Sequence, residues 1–184
     1  FTYLWNNGDT NQTADTLEDG TYWVTVTDAH GCIAFSDTME IIQPDSLYID
    51  SLTFTAVLCN GGSTGTAAVV AAGGTPGYSY LWSTSDTTDM ISGLPTGTYL
   101  VTITDINGCI RDSSIVVTEP VALTTSTVQD SVICKGVNDG SATVYVNGGV
   151  VPYTYLWSNG NTLNPAHSIA AGMYYVTVTD SNGC

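Results

Sequence analysis

The chain has 184 residues, which is enough for one to three small domains, and its hydrophobic fraction of 43% allows a packed core in each. It carries 17 acidic residues against two basic ones, Arg111 and Lys135, and its net charge is −15. Binding to nucleic acid or to an anionic membrane surface needs clustered cations, so the composition argues against both partners.

The first 43 residues predict the C-terminal part of a β-rich repeat. Phe1 to Trp5 has the pattern of a strand interior, not of a secretory signal peptide, and Gly20 to Asp28 predicts a second strand that leads to Cys32. Gln43-Pro44 then marks a break, because proline cannot donate to a sheet ladder. No apolar run in the whole sequence reaches the roughly 18 residues of a membrane-spanning helix.

Residues 44–119 predict one complete repeat, which ends at the Glu119-Pro120 step. Period-two alternation and turn signals predict a two-layer antiparallel β-sandwich, with a turn at 105–108 that joins the last two strands. The predicted strands lie near 50–58, 66–72, 78–83, 98–105 and 110–118, with a weaker one near 88–92.

Residues 120–184 predict a third copy of this module without its last strand. Tyr153 to Trp157 matches Tyr78 to Trp82, and Gly172 to Asp180 matches the strand that begins after Gly97. The three tryptophans at positions 5, 82 and 157 are 77 and 75 residues apart. A tandem array of immunoglobulin-like β-sandwich repeats explains these spacings.

The repeated aromatic residues have two interpretations. Trp5, Trp82 and Trp157 are expected on the core face, and Tyr99 suits a tyrosine corner at the start of the penultimate strand. Alternatively, exposed tryptophans would give each repeat a platform for stacking on carbohydrate. Leu81 and Leu100 have two interpretations: they point outward and pack on an adjacent repeat or a neighbouring rod, or one of their two strands is buried on both faces.

Five cysteines indicate disulfides and therefore an oxidising compartment. Cys59 and Cys109 are 50 residues apart, and so are Cys134 and Cys184, which predicts one bridge within each of the last two repeats. A loop of this length contributes about 4 kcal/mol in the chain-entropy model. The equivalent partner of Cys32 would fall before residue 1, so Cys32 is expected to be unpaired, and an intermolecular bridge is the alternative.

No catalytic constellation is visible in the sequence. His30 and His167 occupy different places in the repeat, in predicted turns, and no nucleophile, zinc or phosphate-loop motif accompanies them. The glycine pairs at 61–62, 73–74 and 148–149 indicate turns. The sequence therefore predicts neither an enzyme nor a resident cofactor.

Calcium is the one metal weighed, at Asp105 and Asn107 and at their equivalents Asp180 and Asn182. One carboxylate and one amide fall short of the six to eight oxygens that calcium takes. We favour a plain turn in which the aspartate accepts backbone hydrogen bonds.

Triplets of Asp, then Ser or Thr, then an aliphatic residue or Thr occur more often than the composition predicts. Their hydroxyl residues are Thr16, Thr38, Ser46, Ser51, Thr87 and Ser131. One interpretation is that such pairs favour turns and strand edges. The other is O-glycosylation, because the triplet resembles the acceptor motif of the Bacteroidota general O-glycosylation system.

The combined motifs resemble the SprB-type repeat of Bacteroidota surface proteins. The resemblance is carried by Cys134, by Gly148-Gly149, by Pro152 to Trp157 and by Gly172 to Cys184; the middle copy departs from it by an inserted Gly77. It implies a long, repeat-built protein, exported by type IX secretion and displayed outside the cell on the bacterial surface.

Two functions follow from these expectations. The first is a structural segment of a secreted fibre, stalk or filament, whose partners are adjacent repeats of the same chain and neighbouring rods. The second is a carbohydrate-binding adhesin module that recognises a surface polysaccharide through exposed aromatic residues. Burial of the three tryptophans would separate the two.

Overall fold

The computed structural model describes residues 1–133 and 136–184, which form strands joined by turns and loops. Two compact units are present: Phe1–Ser46 with Gly73–Thr75, and Leu47–Ala72 with Pro76–Cys184. All paired strands are antiparallel. The predicted all-β class is confirmed, whereas the repeat boundaries after residues 43 and 119 stay predictions.

The first unit contains five short strands in two small sheets. They are β1 (Thr2–Trp5), β2 (Gly20–Tyr22), β3 (Val24–Thr27), β4 (Ile33–Phe35) and β5 (Met39–Ile41). Strands β1, β3 and β4 form one sheet, and β2 pairs with β5 in the other. The buried Trp5 lies at the end of β1.

The second unit begins with the complete repeat, whose six strands lie close to the predicted positions. They are β6 (Tyr48–Thr55), β7 (Gly65–Ala72), β8 (Ser79–Trp82), β9 (Met90–Leu94), β10 (Gly97–Thr104) and β11 (Ile110–Val117). One sheet has the order β6-β7-β9 and the other the order β11-β10-β8. Two three-stranded sheets thus form the predicted sandwich.

Alternating side chains fill the space between these two sheets. Val101 and Ile103 of β10 are fully buried, as are Ala67 of β7 and Val117 of β11, and they belong to one hydrophobic cluster with Trp82. Burying one such aliphatic side chain contributes about 1.5–3 kcal/mol. Burial also raises the pKa of the partly buried Tyr80, and the charge of Asp89 raises it further.

The rest of the second unit is another copy of the sandwich with its own core. Its strands are β12 (Thr124–Asp130), β13 (Gly140–Asn147), β14 (Thr154–Trp157), β15 (Ala166–Ile169) and β16 (Val176–Thr179). Strands β12, β13 and β15 form one sheet, and β14 pairs with β16 in the other. Val144, Ala166 and Trp157 lie in a cluster separate from that of the preceding copy.

The same side-chain hydrogen bonds recur in all three copies. The indole N–H groups of Trp5, Trp82 and Trp157 donate to the carbonyl oxygen six residues later, at 2.8–3.0 Å. The hydroxyls of Tyr22, Tyr99 and Tyr174 donate to the carbonyl oxygen four residues earlier, at 2.9–3.2 Å. The core role of the tryptophans and the tyrosine corner are confirmed, and the three copies share one local design.

Candidate functional site

Each copy carries a five-residue Asp-x-x-Gly-Cys segment, at 28–32, 105–109 and 180–184, which we name the cysteine turn. In every copy the aspartate Oδ1 accepts a hydrogen bond from the cysteine N–H, at 2.8, 2.8 and 3.0 Å. The aspartate N–H donates back to the cysteine carbonyl oxygen at 3.0–3.1 Å. The glycine before the cysteine has a φ of 84–85°, which suits glycine best. The turn therefore holds its cysteine in one fixed orientation.

In two of these turns, backbone donors lower the pKa of the aspartate. Hydrogen bonds from the N–H of Cys184 and then of Val150 lower the pKa of Asp180, and the N–H of Cys32 has the largest lowering effect on the pKa of Asp28. Oδ2 of Asp180 accepts from Val150 at 2.8 Å, which ties the turn to the Gly148-Gly149 loop.

Both glycines of that loop are required by their surroundings. Gly148 and Gly149 have φ values of 77° and 64°. A Cβ on Gly149 would lie 2.7 Å from Leu123 and 3.0 Å from Oδ2 of Asp180. The predicted turn at this glycine pair is confirmed, and it lies against the cysteine turn.

Cys59 lies in the loop between β6 and β7. Residues 57–62 of this loop, which we name the Cys59 loop, lie at one end of the sandwich formed by β6 to β11. The Val57 N–H donates to Thr118 O at 2.8 Å. Asn60 Nδ2 donates to Pro120 O at 3.0 Å, and the Gly61 N–H donates to Glu119 Oε2 at 2.6 Å. The loop therefore packs on the Glu119-Pro120 step that leads into the next sandwich.

The last cysteine turn meets the Cys59 loop and is bonded to it. Cys184 forms a disulfide with Cys59 across 125 residues, with the two Cα atoms 5.7 Å apart. Beside it, Asn182 Nδ2 donates to Leu58 O at 2.8 Å. A covalent bond and a side-chain hydrogen bond thus join two consecutive sandwiches at one place.

The predicted disulfide pairing is wrong. Cys59 bonds to Cys184 instead of Cys109, which is an exposed free thiol, and the predicted partner of Cys184, Cys134, lies outside the described residues. The reason is geometric: the Cys59 loop adjoins Thr118, just after β11, whereas Cys109 stands just before β11. An eight-residue strand separates these ends by roughly 25 Å, whereas a disulfide needs Cα atoms within about 7 Å.

Cys32, expected to be unpaired, is a second exposed free thiol. Sequence reasoning missed both the connection between the repeats and the role of Asn182. The available signal was the Asp-x-x-Gly-Cys motif itself, which recurs in all three copies.

The three tryptophans offer no stacking platform. Their exposed fractions are 9% at Trp5, 2% at Trp82 and 4% at Trp157. The carbohydrate hypothesis based on these indoles is therefore wrong. Leu81 and Leu100, expected to point outward, are 54% and 55% exposed even beside the following sandwich, and their packing on a neighbouring rod stays a prediction.

The remaining candidate residues do not converge on a reactive site. His30 lies in a cysteine turn, 4.0 Å from the Asp28 carboxylate, whereas His167 lies in strand β15 instead of the predicted turn. Asp105 and Asp180 accept hydrogen bonds from the N–H groups of Asn107 and Asn182, as the turn hypothesis predicts. Among the described residues, no group of three or more His, Cys, Asp or Glu side chains is placed to hold a metal ion.

One cavity of about 570 Å³ opens between the two sheets of the last sandwich, and Gly140, Trp157 and Val176 are among its lining residues. Gly65 is the counterpart of Gly140 in the preceding sandwich, where a Cβ on it would lie 2.6 Å from Val117 of β11. The cavity thus lies where the preceding sandwich has β11.

The six candidate hydroxyl residues are accessible to different degrees. Ser51 is half-buried at an irregularity in β6, while the other five, at positions 16, 38, 46, 87 and 131, are exposed. Across the described part of the chain, no helix is both long and apolar enough to cross a membrane.

Comparison with known protein families finds a match in two segments of the chain. The SprB repeat family matches residues 51–87 and 126–162, two segments that start 75 residues apart. These two segments are therefore similar to the SprB repeat, as the sequence motifs indicated. No curated protein matches the chain.

Similar solved structures are immunoglobulin-domain proteins. An amphioxus IgVJ-C2 molecule is 17% identical, with 64% of this chain and 88% of that chain covered and a TM-score of 0.33. Extracellular domains 3–5 of Drosophila OTK are 14% identical over 90% and 67%, with a TM-score of 0.32. The four N-terminal Ig domains of a Dscam1 isoform are 15% identical over 99% and 62%, with a TM-score of 0.30. Likeness at this level carries no argument about function.

Proposed function

We propose that this chain is a structural segment of a long, secreted fibre or filament at the bacterial cell surface, without catalysis. The observation that carries the proposal is the Cys59–Cys184 bond, which joins one sandwich covalently to the next. A bond in that place connects modules along an array, which is what a load-bearing stalk requires. The SprB-type repeats support a surface location, because that family is associated with cell-surface proteins.

The charge of the chain suits this role. A net charge of −15 repels neighbouring chains and keeps an exposed array soluble. A rod of this kind would be exported by type IX secretion.

Antibodies raised against residues 47–184 test the proposal on intact cells. We expect them to label untreated cells and to decorate extended filaments in electron micrographs. Labelling that appears only after the cells are permeabilised would reject the surface location. A preparation of the same chain that turns over a substrate would reject the non-catalytic role.

We further propose that the exposed triplet hydroxyls carry O-glycans, which would add bulk and shield strand edges. Five exposed candidate positions support this. Intact-mass measurement of the native protein before and after chemical deglycosylation is the test, with site mapping at Thr16, Thr38, Ser46, Thr87 and Ser131. Unmodified peptides at all these positions would reject it, and Ser51, half-buried, is expected to be the least modified.

A further inference from the structure

The three cysteine turns hold their cysteines alike, yet only one of these cysteines is bonded. The aspartate accepts from the cysteine N–H at closely similar distances in each copy. Cys184 is bonded to Cys59, while Cys32 and Cys109 carry exposed thiols. The bond at Cys184 shows that this turn geometry allows its cysteine to form a disulfide with the loop cysteine of a neighbouring repeat.

We propose that the cysteine of every cysteine turn forms a disulfide with the loop cysteine of another repeat. Cys109 and Cys32 then form the same bridge that Cys184 forms, each with a cysteine of the Cys59 type on the repeat that stands directly before its own. This inference deepens the proposed function and rests on it, because a covalently continuous array follows from one bridge at every joint.

Within one repeat, the turn cysteine and the loop cysteine lie at opposite ends of the sandwich, and this supports the proposed pairing. The Cys59 loop contacts Thr118, Glu119 and Pro120 at one end of the complete repeat, and Cys109 precedes β11 at the other. A contact between unlike ends is head-to-tail, and such contacts repeat without closing. Cys59 and Cys109 of one repeat therefore serve two different joints.

The reaction at each joint needs a disulfide oxidant, for example oxidised glutathione. The loop thiolate attacks this oxidant, forms a mixed disulfide and releases one glutathione thiolate. The turn thiolate then attacks the loop sulfur of the mixed disulfide, forms the protein bridge and releases the second. The two protons lost by the protein thiols end on the two released glutathiones, which have taken up the two electrons.

An extended chain tests the proposal directly. Residues 47–77 are grafted before Phe1, because Phe1 aligns with Tyr78, so the graft supplies a loop cysteine one repeat before Cys109. The same cysteine stands as far before Cys32 as Cys59 stands before Cys109. After folding in a glutathione redox buffer, free thiols are alkylated and the bridges are mapped without reduction.

We expect the grafted cysteine to be bonded to Cys109 and Cys59 to be bonded to Cys184. Cys32 should be alkylated. A matched graft with serine at its loop cysteine should leave Cys109 alkylated. A bridge from the graft to Cys32, or alkylation of both the grafted cysteine and Cys109, would overturn the proposal.

If the extended chain shows no cooperative unfolding and is therefore not folded, the Cys184→Ser variant of the original chain tests the proposal instead. Cys59 and Cys109 should both be alkylated in it, since they serve different joints, and a Cys59–Cys109 bridge would reject the proposal. These maps do not depend on where the protein resides, so the antibody experiment and this one fail independently.

Discussion

Asn182 donates a hydrogen bond from its side-chain amide to the carbonyl oxygen of Leu58, one residue before the cysteine that is bonded to Cys184. The contact lies between two sandwiches with separate cores, so it belongs to the joint and not to either fold. The disulfide and this hydrogen bond act at the same place, which makes the joint accessible to mutation.

The bridge should limit how far the chain extends under force. When the chain is pulled from its two ends, force passes through the Cys59–Cys184 bond and spares the residues between, which span a separation of 125 positions. Reduction should add roughly 400 Å of contour length, at about 3.3–3.6 Å per residue. Single-molecule stretching before and after reduction measures this gain. The Cys32→Ser variant should behave like the parent, and an unchanged contour length after reduction would contradict the bridge.

Loss of the bridge should also lower stability. Closing a loop of 125 residues contributes about 5 kcal/mol in the chain-entropy model, so Cys59→Ser should lower the free energy of unfolding by several kcal/mol. Urea titration of the oxidised proteins gives the difference. Cys32→Ser, at an exposed free thiol, should stay within about 0.5 kcal/mol of the parent.

The Asn182→Ala variant should weaken the joint by about 1 kcal/mol, the usual net contribution of a neutral hydrogen bond. The bridge should then be reduced at a lower ratio of reduced to oxidised glutathione. Equilibration in graded glutathione buffers measures this ratio. Ser181→Ala removes an exposed side chain of the same turn and should leave it unchanged; equal shifts in both variants would argue against the Leu58 contact.

Acid should weaken the cysteine turn. Because the N–H groups of Cys184 and Val150 lower the pKa of Asp180 below its unfolded value, the charged carboxylate stabilises the fold at pH values above the unfolded pKa. That contribution is lost as the pH falls through the lowered pKa, that is, below about pH 4. Unfolding titrations from pH 7 to pH 2 should show a shallower acid loss for Asp180→Asn than for the parent. Ser181→Ala, which changes an exposed and uncharged side chain of the same turn, is the control and should retain the parent's slope.

The core tryptophan should matter far more than an exposed one. Trp82 is 2% exposed, whereas Trp23 is 41% exposed. Replacing Trp82 by Ala should cost about 3–5 kcal/mol through lost burial and the cavity left behind, and Trp23→Ala should cost much less. Urea denaturation followed by circular dichroism compares them, and equal losses would contradict the core assignment.

Much of the fold was predictable because its signals are local. Alternation along 98–105 anticipated β10, and the repeated aromatic and Gly-Cys motifs anticipated three similar copies with a buried tryptophan in each. His167 was misplaced because a four-residue strand that pairs with β13 on one edge has too few residues to show a period.

The sequence by itself determined that one β-sandwich recurs, because each copy repeats the same short-range pattern of strands, turns and buried aromatic residues. Only the tertiary structure decided which cysteines meet. In an array with a fixed period, the spacing of 50 residues within a repeat and the spacing of 125 across two repeats recur equally, so spacing cannot choose between them. The positions of the cysteines in the sandwich determine the disulfide pairing. Cys59 lies at the end that faces the next repeat, and Cys109 lies a strand's length away.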